Sequence, residues 1–169
     1  MAKLLKIKLS NKLLKWYDDN KKSMPWRDDD DIYHIWLSEI MLQQTQIKTV
    51  IPYYYKWLSK FPTINDVARA DEQEILKMWE GLGYYSRALN FLHACKTIES
   101  DYDGIIPKEK ESFLKLKGVG QYIDAAVRSI GYNDIVPTID GNVNRVMSRV
   151  LSLKTPPAKE YKKIYNFLM

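Results

Sequence analysis

The amino-acid sequence predicts an all-α fold on three observations. Apolar residues recur at helical spacing along most of the 169 residues, and prolines and glycines separate the periodic segments. The one stretch that looks extended, residues 134–139, contains Pro137, which weakens its assignment as a strand. With 46% hydrophobic and 12% aromatic residues, the chain has enough apolar side chains to bury a core.

The periodic segments predict roughly eight short helices before the C-terminal stretch. The first covers residues 13–17, and the second is a long helix over residues 32–55 that Pro52 interrupts. The acidic run at residues 28–31 is predicted to be a solvated turn that also caps the second helix. The remaining helices are predicted over residues 65–70, 72–79, 86–98, 108–116, 122–130 and 143–151.

The last segment carries an apolar stripe that has barely formed where the sequence ends. Tyr161, Ile164, Tyr165 and Leu168 are spaced at i, i+3, i+4 and i+7, which places them on one helix face. We therefore expect either that the chain is a fragment or that another element covers this stripe.

The composition narrows the class of protein. A single cysteine, Cys95, excludes a disulfide framework and a multi-cysteine metal site built from this sequence alone. The sequence has no run of about 18 apolar residues, and its lysine-rich start lacks the features of a signal peptide. These features predict a soluble, intracellular protein.

The formal net charge of +5 is unevenly distributed. Residues 1–17 carry five lysines and no acidic residue, and residues 141–169 carry six basic residues against Glu160. The basic surface therefore belongs to the two ends. This asymmetry is compatible with a polyanionic partner, but solvated lysine-rich helix faces explain it about as well.

Two glycines one residue apart separate a pair of predicted helices. Gly118 and Gly120, with Val119 between them, predict a tight turn with positive φ that another backbone can approach closely. The turn also places free N–H groups at the start of the next helix, where the dipole favours an anion. A plain helix–helix turn fits the bare pattern, whereas the flanking helices make it typical of a helix-hairpin-helix DNA-binding motif.

Glu39 is a candidate for acid chemistry. It continues the apolar stripe of Ile32, Ile35 and Trp36, so its carboxyl is predicted to point toward the apolar side of its helix. A buried carboxyl has a raised pKa and can stay protonated near neutral pH, as a general acid requires. The alternative is a partly exposed glutamate whose stem covers a tryptophan.

Asp140 precedes Gly141 and Asn142 at the start of the helix predicted over residues 143–151. By its position it is an N-cap, and a helix N-terminus also favours an ionised aspartate. One neutral and one charged carboxyl form the pair that cleaves a glycosidic bond through an oxocarbenium-like transition state. The sequence leaves open whether the two groups lie near each other.

Five sequence blocks resemble one protein family. They are SMPWR at residues 23–27, WLSEIMLQQTQ at 36–46, WEGLGYYSRALN at 79–90, LKGVGQY at 116–122 and IDGNVNRV at 139–146. In this order they are similar to the catalytic domain of MutY-type, A/G-specific adenine DNA glycosylases. That family removes adenine mispaired with 8-oxoguanine and belongs to the helix-hairpin-helix, endonuclease III-like superfamily. The resemblance runs from about residue 11 to the end of the sequence.

The resemblance implies roles for the residues at matching positions. Glu39 matches the acid that protonates adenine N7, and Asp140 matches the carboxylate that stabilises the sugar cation. Tyr122 and Asn142 match residues that support this site. Taken singly, the DNA-contacting matches also fit a solvated helix edge, core packing or a surface ion pair. They are Arg27 at the pocket, Gln43 and Gln44 in the segment that reads the opposing base, Leu82 and Tyr84 in the wedge loop, and Gly118, Val119 and Gly120 in the hairpin.

Tyr122 also separates this sequence from the lyase branch of the superfamily. Glycosylases of the endonuclease III type carry a lysine nucleophile at the slot that Tyr122 occupies, so the resemblance implies that water, not an amine, resolves the intermediate. Ile123 and Asp124 depart from the family pattern, in which we expect threonine and a small residue. Asp124 is expected to add charge beside the site.

The resemblance further implies a domain plan, a cofactor and a partner. The plan is an N-terminal helix over residues 1–27 that packs with a second lobe, a six-helix barrel lobe over 28–136 with the hairpin at about 109–130, and an incomplete second lobe over 137–169. No metal site is predicted in this chain, and a 4Fe–4S iron–sulfur cluster is expected only if the sequence continues beyond Met169. The expected partner is double-stranded DNA with an A·8-oxoguanine or A·G mismatch, bound by a monomer at the nucleoid of a bacterial cytoplasm.

Two alternatives to an adenine glycosylase stay open. Related enzymes that share the tyrosine and the aspartate act on mispaired thymine or uracil with the same scaffold. The second alternative is a truncated, non-enzymatic DNA-binding module, which would bind DNA through the hairpin and release no base.

Overall fold

The computed structural model describes the backbone of residues 2–169 and the side chains from Lys6 onward, and it confirms the all-α prediction. No β-strand occurs in this part of the chain, and none of its helices is long and apolar enough to cross a membrane. The helices are α1 (Ala2–Asn20), α2 (Ile32–Leu42), α3 (Ile47–Lys60), α4 (Ile64–Arg69), α5 (Glu72–Trp79), α6 (Ser86–Asp101), α7 (Lys110–Phe113), α8 (Gln121–Gly131), α9 (Gly141–Val150) and α10 (Tyr161–Leu168), with a 3-10 turn at Pro157–Glu160.

α2 is the central helix of the core because most of its circumference is apolar. All but three of its eleven residues are buried, and it packs against α3 and α8. The Trp36 ring meets the Phe91 ring of α6 edge-on, with 4.8 Å between the ring centroids. Trp57 of α3 meets Trp79 of α5 in the same way at 5.6 Å. Edge-on contacts are favourable for aromatic rings, so these pairs join α2 to α6 and α3 to α5.

Side-chain caps mark the starts of α2 and α4. Asp31 caps α2, because its carboxylate accepts hydrogen bonds from the backbone N–H groups of Tyr33 at 2.7 Å and His34 at 3.4 Å. The prediction that the acidic run caps this helix is thereby confirmed. Thr63 and Asp66 form a reciprocal capping box at the start of α4.

The predicted interruption at Pro52 is wrong. Pro52 lies inside α3, and the chain leaves the helical conformation earlier, at Gln43, with Gln44 in the left-handed region at φ 57°. At this end of α2 the Arg87 guanidinium donates to the carbonyl groups of Ile40 and Met41, 47 and 46 residues earlier in the chain. These bonds satisfy carbonyl groups that the end of the helix leaves without a full set of helical partners.

Two further segments differ from the predicted elements. The helix predicted over residues 108–116 is only Lys110–Phe113, because the chain turns toward the hairpin from Leu114 onward. Residues 134–139 form neither helix nor strand. Pro137 has no N–H to pair, and no strand in the described part of the chain offers itself as a partner.

α1, α9 and α10 form one edge of the molecule. Leu9 and Leu13 of α1 line an apolar cleft of about 360 Å³ together with Val146 of α9 and Leu168 of α10. The predicted stripe of the last segment is partly covered, since Ile164 is fully buried. The boundaries proposed at residues 27 and 136 stay a prediction.

Candidate active site

The two glycines of the hairpin between α7 and α8 have different conformations and different surroundings. Gly118 has φ 82°, and a Cβ there would lie 2.9 Å from the Asn90 Cβ, so a larger residue does not fit. Gly120 is the N-cap of α8 and is extended, with φ −105° and ψ 178°, where positive φ was predicted. A Cβ on Gly120 would meet no described atom within 4 Å, so this part of the turn is open to another backbone. The Val119 side chain is buried and anchors the turn.

Glu39 lies on α2 with its side chain turned into the protein, as its helical position predicts. The residue is only 4% exposed. The Tyr122 hydroxyl of α8 donates a hydrogen bond to its Oε2 at 3.0 Å, and an Arg27 guanidinium nitrogen lies 3.8 Å from its Oε1. Burial raises the pKa of Glu39 above its ordinary value, and the nearby charge of Asp140 adds to this, while the Tyr122 hydrogen bond and Arg27 oppose it. The net shift makes Glu39 hold its proton more readily than an exposed glutamate does.

Asp140 caps α9, which confirms its predicted position at the helix start. Its Oδ1 accepts the backbone N–H of Val143 at 2.7 Å, and its Oδ2 accepts the Asn142 side-chain amide at 3.0 Å. Two N–H donors hold the carboxylate in one orientation, and one of them comes from a residue that the resemblance had placed in a supporting role. Asn142 thus orients Asp140.

A single cavity of about 520 Å³ joins the two carboxyl groups. Its volume is in the usual range for a small-molecule site. The cavity brings together six predicted site residues and adds Leu42, Ile139, Gly141 and Asn144. The six are Glu39, Gln43, Gln44, Tyr122, Asp140 and Asn142.

Of the four added lining residues, Asn144 is the one with a polar side chain. Its side-chain oxygen is buried and has no hydrogen-bond partner among the described residues. Asn144 follows Asp140 at i+4, so both residues lie on the same face of α9. That spacing is the signal that would have identified it.

Arg27 lies at the side of the site rather than inside it. The neighbouring Trp26 is buried and packs edge-on against Tyr54, with 5.3 Å between the ring centroids. The Arg27 N–H bonds the Met24 carbonyl at 2.9 Å, which closes a turn. The buried tryptophan therefore fixes the turn from which the partly exposed Arg27 side chain reaches Glu39.

The predicted wedge loop presents Tyr84 and turns Leu82 inward. Tyr84 is 61% exposed and has φ 49°, whereas Leu82 is 6% exposed and belongs to the core. The Trp79 ring N–H donates to the Gly83 carbonyl at 3.1 Å and holds the loop from inside. In this conformation an exposed tyrosine, not a leucine, is available to contact a duplex.

Asp124 does not lie beside the site, so the expectation that it adds charge there is wrong. It is 1% exposed and lines a separate cavity of about 100 Å³ with Lys110 and Arg128. Burial raises the pKa of Asp124, and these two cations oppose that shift. The helical period placed Asp124 only two residues after Tyr122, which directs the two side chains to different faces of α8.

The residues of this chain do not fit a 4Fe–4S cluster. Such a cluster takes four cysteine thiolates, and the only cysteine, Cys95, is fully buried in the core on α6. Burial raises the pKa of the Cys95 thiol, which disfavours the thiolate that a metal binds. Within the described residues, no group of three or more histidine, cysteine, aspartate or glutamate side chains is placed to hold a metal ion.

Comparison with protein families identifies the superfamily of the chain. Residues 37–168 match the family described as HhH-GPD superfamily base excision DNA repair protein. The chain belongs to this superfamily. The matched range contains Glu39, the hairpin and Asp140, so it includes the whole cavity.

Three curated relatives of the chain share the name adenine DNA glycosylase. The chain is 39% identical to an adenine DNA glycosylase of Arabidopsis thaliana over 86% of this chain and 27% of the relative. It is 40% identical to an adenine DNA glycosylase of Homo sapiens over 86% and 28%, respectively. It is 41% identical to an adenine DNA glycosylase of Buchnera aphidicola subsp. Baizongia pistaciae over 83% and 40%. The chain thus spans less than half the length of these relatives.

Solved structures of HhH-GPD proteins share the fold at low sequence identity. A thermostable thymine-DNA glycosylase superposes with a TM-score of 0.88 at 24% identity, over 98% of this chain and 77% of that one. A trapped endonuclease III–DNA covalent intermediate gives a TM-score of 0.79 at 18% identity, over 97% and 76%. These likenesses establish the helical architecture.

Proposed function

We propose that this chain is the catalytic region of a monofunctional adenine DNA glycosylase of base excision repair. It removes adenine opposite 8-oxoguanine or guanine after flipping the nucleotide out of the duplex. The observation that carries the proposal is the single cavity in which Glu39, Tyr122 and Asp140 meet. The five sequence blocks and the shared name of the curated relatives favour adenine as the base.

The flipped nucleotide is the form of substrate that this cavity suits. An N-glycosidic bond cannot be reached inside a stacked duplex, and extrusion costs roughly a few kcal/mol. Contacts of the exposed Tyr84 and of Gln43 and Gln44 with the opened duplex offset that cost. The open Gly120 turn and the first N–H groups of α8 hold a backbone phosphate.

Base release then follows from the two carboxyl groups. Glu39 donates its proton to N7 of adenine, and the bond between C1′ and N9 breaks with its electron pair going to the base. The sugar becomes an oxocarbenium ion, and the Asp140 carboxylate, oriented by Asn142 and Val143, stabilises the positive charge. Water adds to C1′ and releases a proton, which restores neutral Glu39.

Adenine release from a synthetic duplex tests this proposal. The expected result under single-turnover conditions is faster release from A·8-oxoguanine and A·G duplexes than from A·T, with no thymine or uracil released from G·T or G·U. Preferential release of thymine or uracil would show that one of these bases, and not adenine, is the substrate. Duplex binding without any base release would show that the chain is a non-enzymatic DNA-binding module.

Borohydride trapping tests the role of water separately. Because Tyr122 offers no amine, we expect no covalent protein–DNA adduct when borohydride is added during base release. An adduct would show that an amine of the protein attacks C1′ and would contradict hydrolysis by water.

A further inference from the structure

We propose that Arg87 is a positioning residue that clasps two DNA-facing loops into one rigid unit, so that both loops meet the duplex at a fixed spacing. The first loop is residues 43–46, between α2 and α3, and the second is residues 80–85, between α5 and α6. The geometry of the clasp is independent of the enzyme's substrate, whereas its purpose rests on the proposed function.

Arg87 has an unusual number of backbone partners for an arginine in the first turn of a helix. One terminal nitrogen donates hydrogen bonds to the first loop and to the end of α2 that precedes it. The other donates hydrogen bonds to both loops. Nη1 donates to the carbonyl groups of Ile40 at 2.8 Å, Met41 at 3.1 Å and Gln43 at 2.5 Å. Nη2 donates to the carbonyl groups of Leu82 at 3.3 Å and Gly83 at 3.2 Å and to the Thr45 hydroxyl at 3.2 Å.

The guanidinium group is itself held in place by aromatic rings. Its central carbon lies 5.4 Å from the centroid of Trp79 and 5.5 Å from that of Tyr84. Trp79 is fully buried and also donates to the Gly83 carbonyl, so the second loop is tied to the same core residue. Only a planar, forked cation can stack on a ring and bond two loops at once.

Both loops adopt backbone conformations that need such support. Gln44 in the first loop has φ 57°, and Tyr84 in the second has φ 49°. The left-handed region is unfavourable for residues with a Cβ and persists when surrounding contacts enforce it. These are also two of the residues proposed to enter the duplex. Arg87 therefore holds two strained, DNA-facing residues without facing the reacting atoms itself.

A second anchor holds the far side of the 80–85 loop. The Tyr53 hydroxyl donates to the Glu80 carbonyl at 2.9 Å, and a Cβ on Gly81 would lie 2.2 Å from that hydroxyl. Tyr53 bonds one loop only, whereas Arg87 bonds both. The coupling between the loops is therefore assigned to Arg87.

Hydrogen exchange of the DNA-free chain tests the clasp. The two reporters are the Thr45 N–H, bonded to the Leu42 carbonyl at 3.3 Å, and the Leu82 N–H, bonded to the Trp79 carbonyl at 3.0 Å. In the wild type we expect both amides to open with one shared opening free energy along a low-denaturant series. Two independent opening free energies would overturn the proposal. The measurement uses the wild-type chain, so it does not depend on whether a variant folds.

Variants of Arg87 sharpen the same measurement. Arg87→Gln is expected to accelerate exchange at both reporters by about tenfold or more, because charge-assisted hydrogen bonds to both loops are lost. Arg87→Lys keeps the charge without the fork and is expected to protect one loop only. The matched control is Arg69→Gln, which removes an exposed arginine of α4 that pairs with Glu99 instead of with either loop. An Arg87→Gln effect no larger than that of the control would contradict the clasp.

A DNA-binding measurement distinguishes failure of the clasp from failure of the proposed function. In a Glu39→Gln background, Arg87→Lys is expected to lower the preference for an A·8-oxoguanine over an A·T duplex by about tenfold, the loss of one charge-assisted bond. An unchanged preference would overturn the positioning role. If the wild type releases no adenine but its two loops open together, the proposed function fails and the clasp stands.

Discussion

Glu39 and Asp124 are two buried carboxyl groups on adjacent, packed helices, and only one of them lies at the proposed substrate cavity. Glu39 opens into the cavity of about 520 Å³ and receives a hydrogen bond from Tyr122. Asp124 lies in the cavity of about 100 Å³ beside Lys110 and Arg128, and its Oδ1 has no partner among the described residues. Burial raises the pKa of both carboxyl groups.

A raised pKa does not by itself identify a catalytic acid, because structural carboxyl groups are shifted as well. A general acid must also lie within reach of the atom that takes its proton. Glu39 shares its cavity with Asp140 and the loop glutamines, whereas Asp124 faces α10 residues Tyr161 and Tyr165. We therefore expect the two carboxyl groups to respond alike in stability and differently in catalysis.

The largest expected difference is in the rate of base release. Glu39→Gln removes the transferable proton and is expected to slow adenine release by about 10²- to 10⁴-fold, the usual contribution of a general acid. Asp124→Asn is the matched control, also a buried carboxyl changed to an amide, and is expected to leave the rate unchanged. Single-turnover release measures both variants, and equal losses would mean that the fold, not the acid, had been damaged.

A smaller expected effect concerns the pH dependence of release. The Tyr122 hydrogen bond lowers the pKa of Glu39, so Tyr122→Phe is expected to raise that pKa further and move the alkaline limb of the rate profile to higher pH. The rate at neutral pH should fall by about tenfold, since a hydrogen bond to a group in the transition state is lost. Arg27→Gln removes a second pKa-lowering group and should move the limb in the same direction. A limb displaced to lower pH would exclude Glu39 as the titrating acid.

The smallest expected effect is a gain in stability that both carboxyl groups share. Because the folded-state pKa of each is raised, stability falls as pH rises from the unfolded-state pKa through the folded-state pKa. Neutral amides escape this loss, so Glu39→Gln and Asp124→Asn should each raise Tm at neutral pH by about 2–4 °C, as roughly 1 kcal/mol does in a chain of this size. Thermal melts at neutral and acidic pH measure it. A gain that persists unchanged in acid would point to packing rather than ionisation.

Local chemistry allowed much of the fold and part of the site to be predicted. Helical spacing identified Glu39 as an inward-facing carboxyl, and capping preferences identified Asp31 and Asp140 as helix starts. These features depend on residues within a few positions of each other. The resemblance of the five blocks supplied the proposed roles of Tyr122 and Asn142, which neither periodicity nor capping indicates.

Features that depend on distant residues were predicted wrongly or not at all. Arg87, which bonds the end of α2, lies more than 40 residues away in the sequence, whereas the local pattern places the break at Pro52. The inward turn of Leu82 depends on the core formed around Trp79, and the isolation of Asp124 from the site depends on which element covers its face of α8. Helical period gives the direction of a side chain relative to its own helix but not the neighbour that it meets.

The most direct test of the central claim, that Glu39 is a proton donor with a raised pKa at the proposed substrate cavity, is a carbon-13 NMR titration of its side-chain carboxyl. Glu39→Gln assigns the resonance by its loss. We expect the Glu39 midpoint to lie above those of the solvent-exposed glutamates and to rise further in Tyr122→Phe. A midpoint within the range of the exposed glutamates would mean that Glu39 is ionised at neutral pH and would contradict its role as the proton donor.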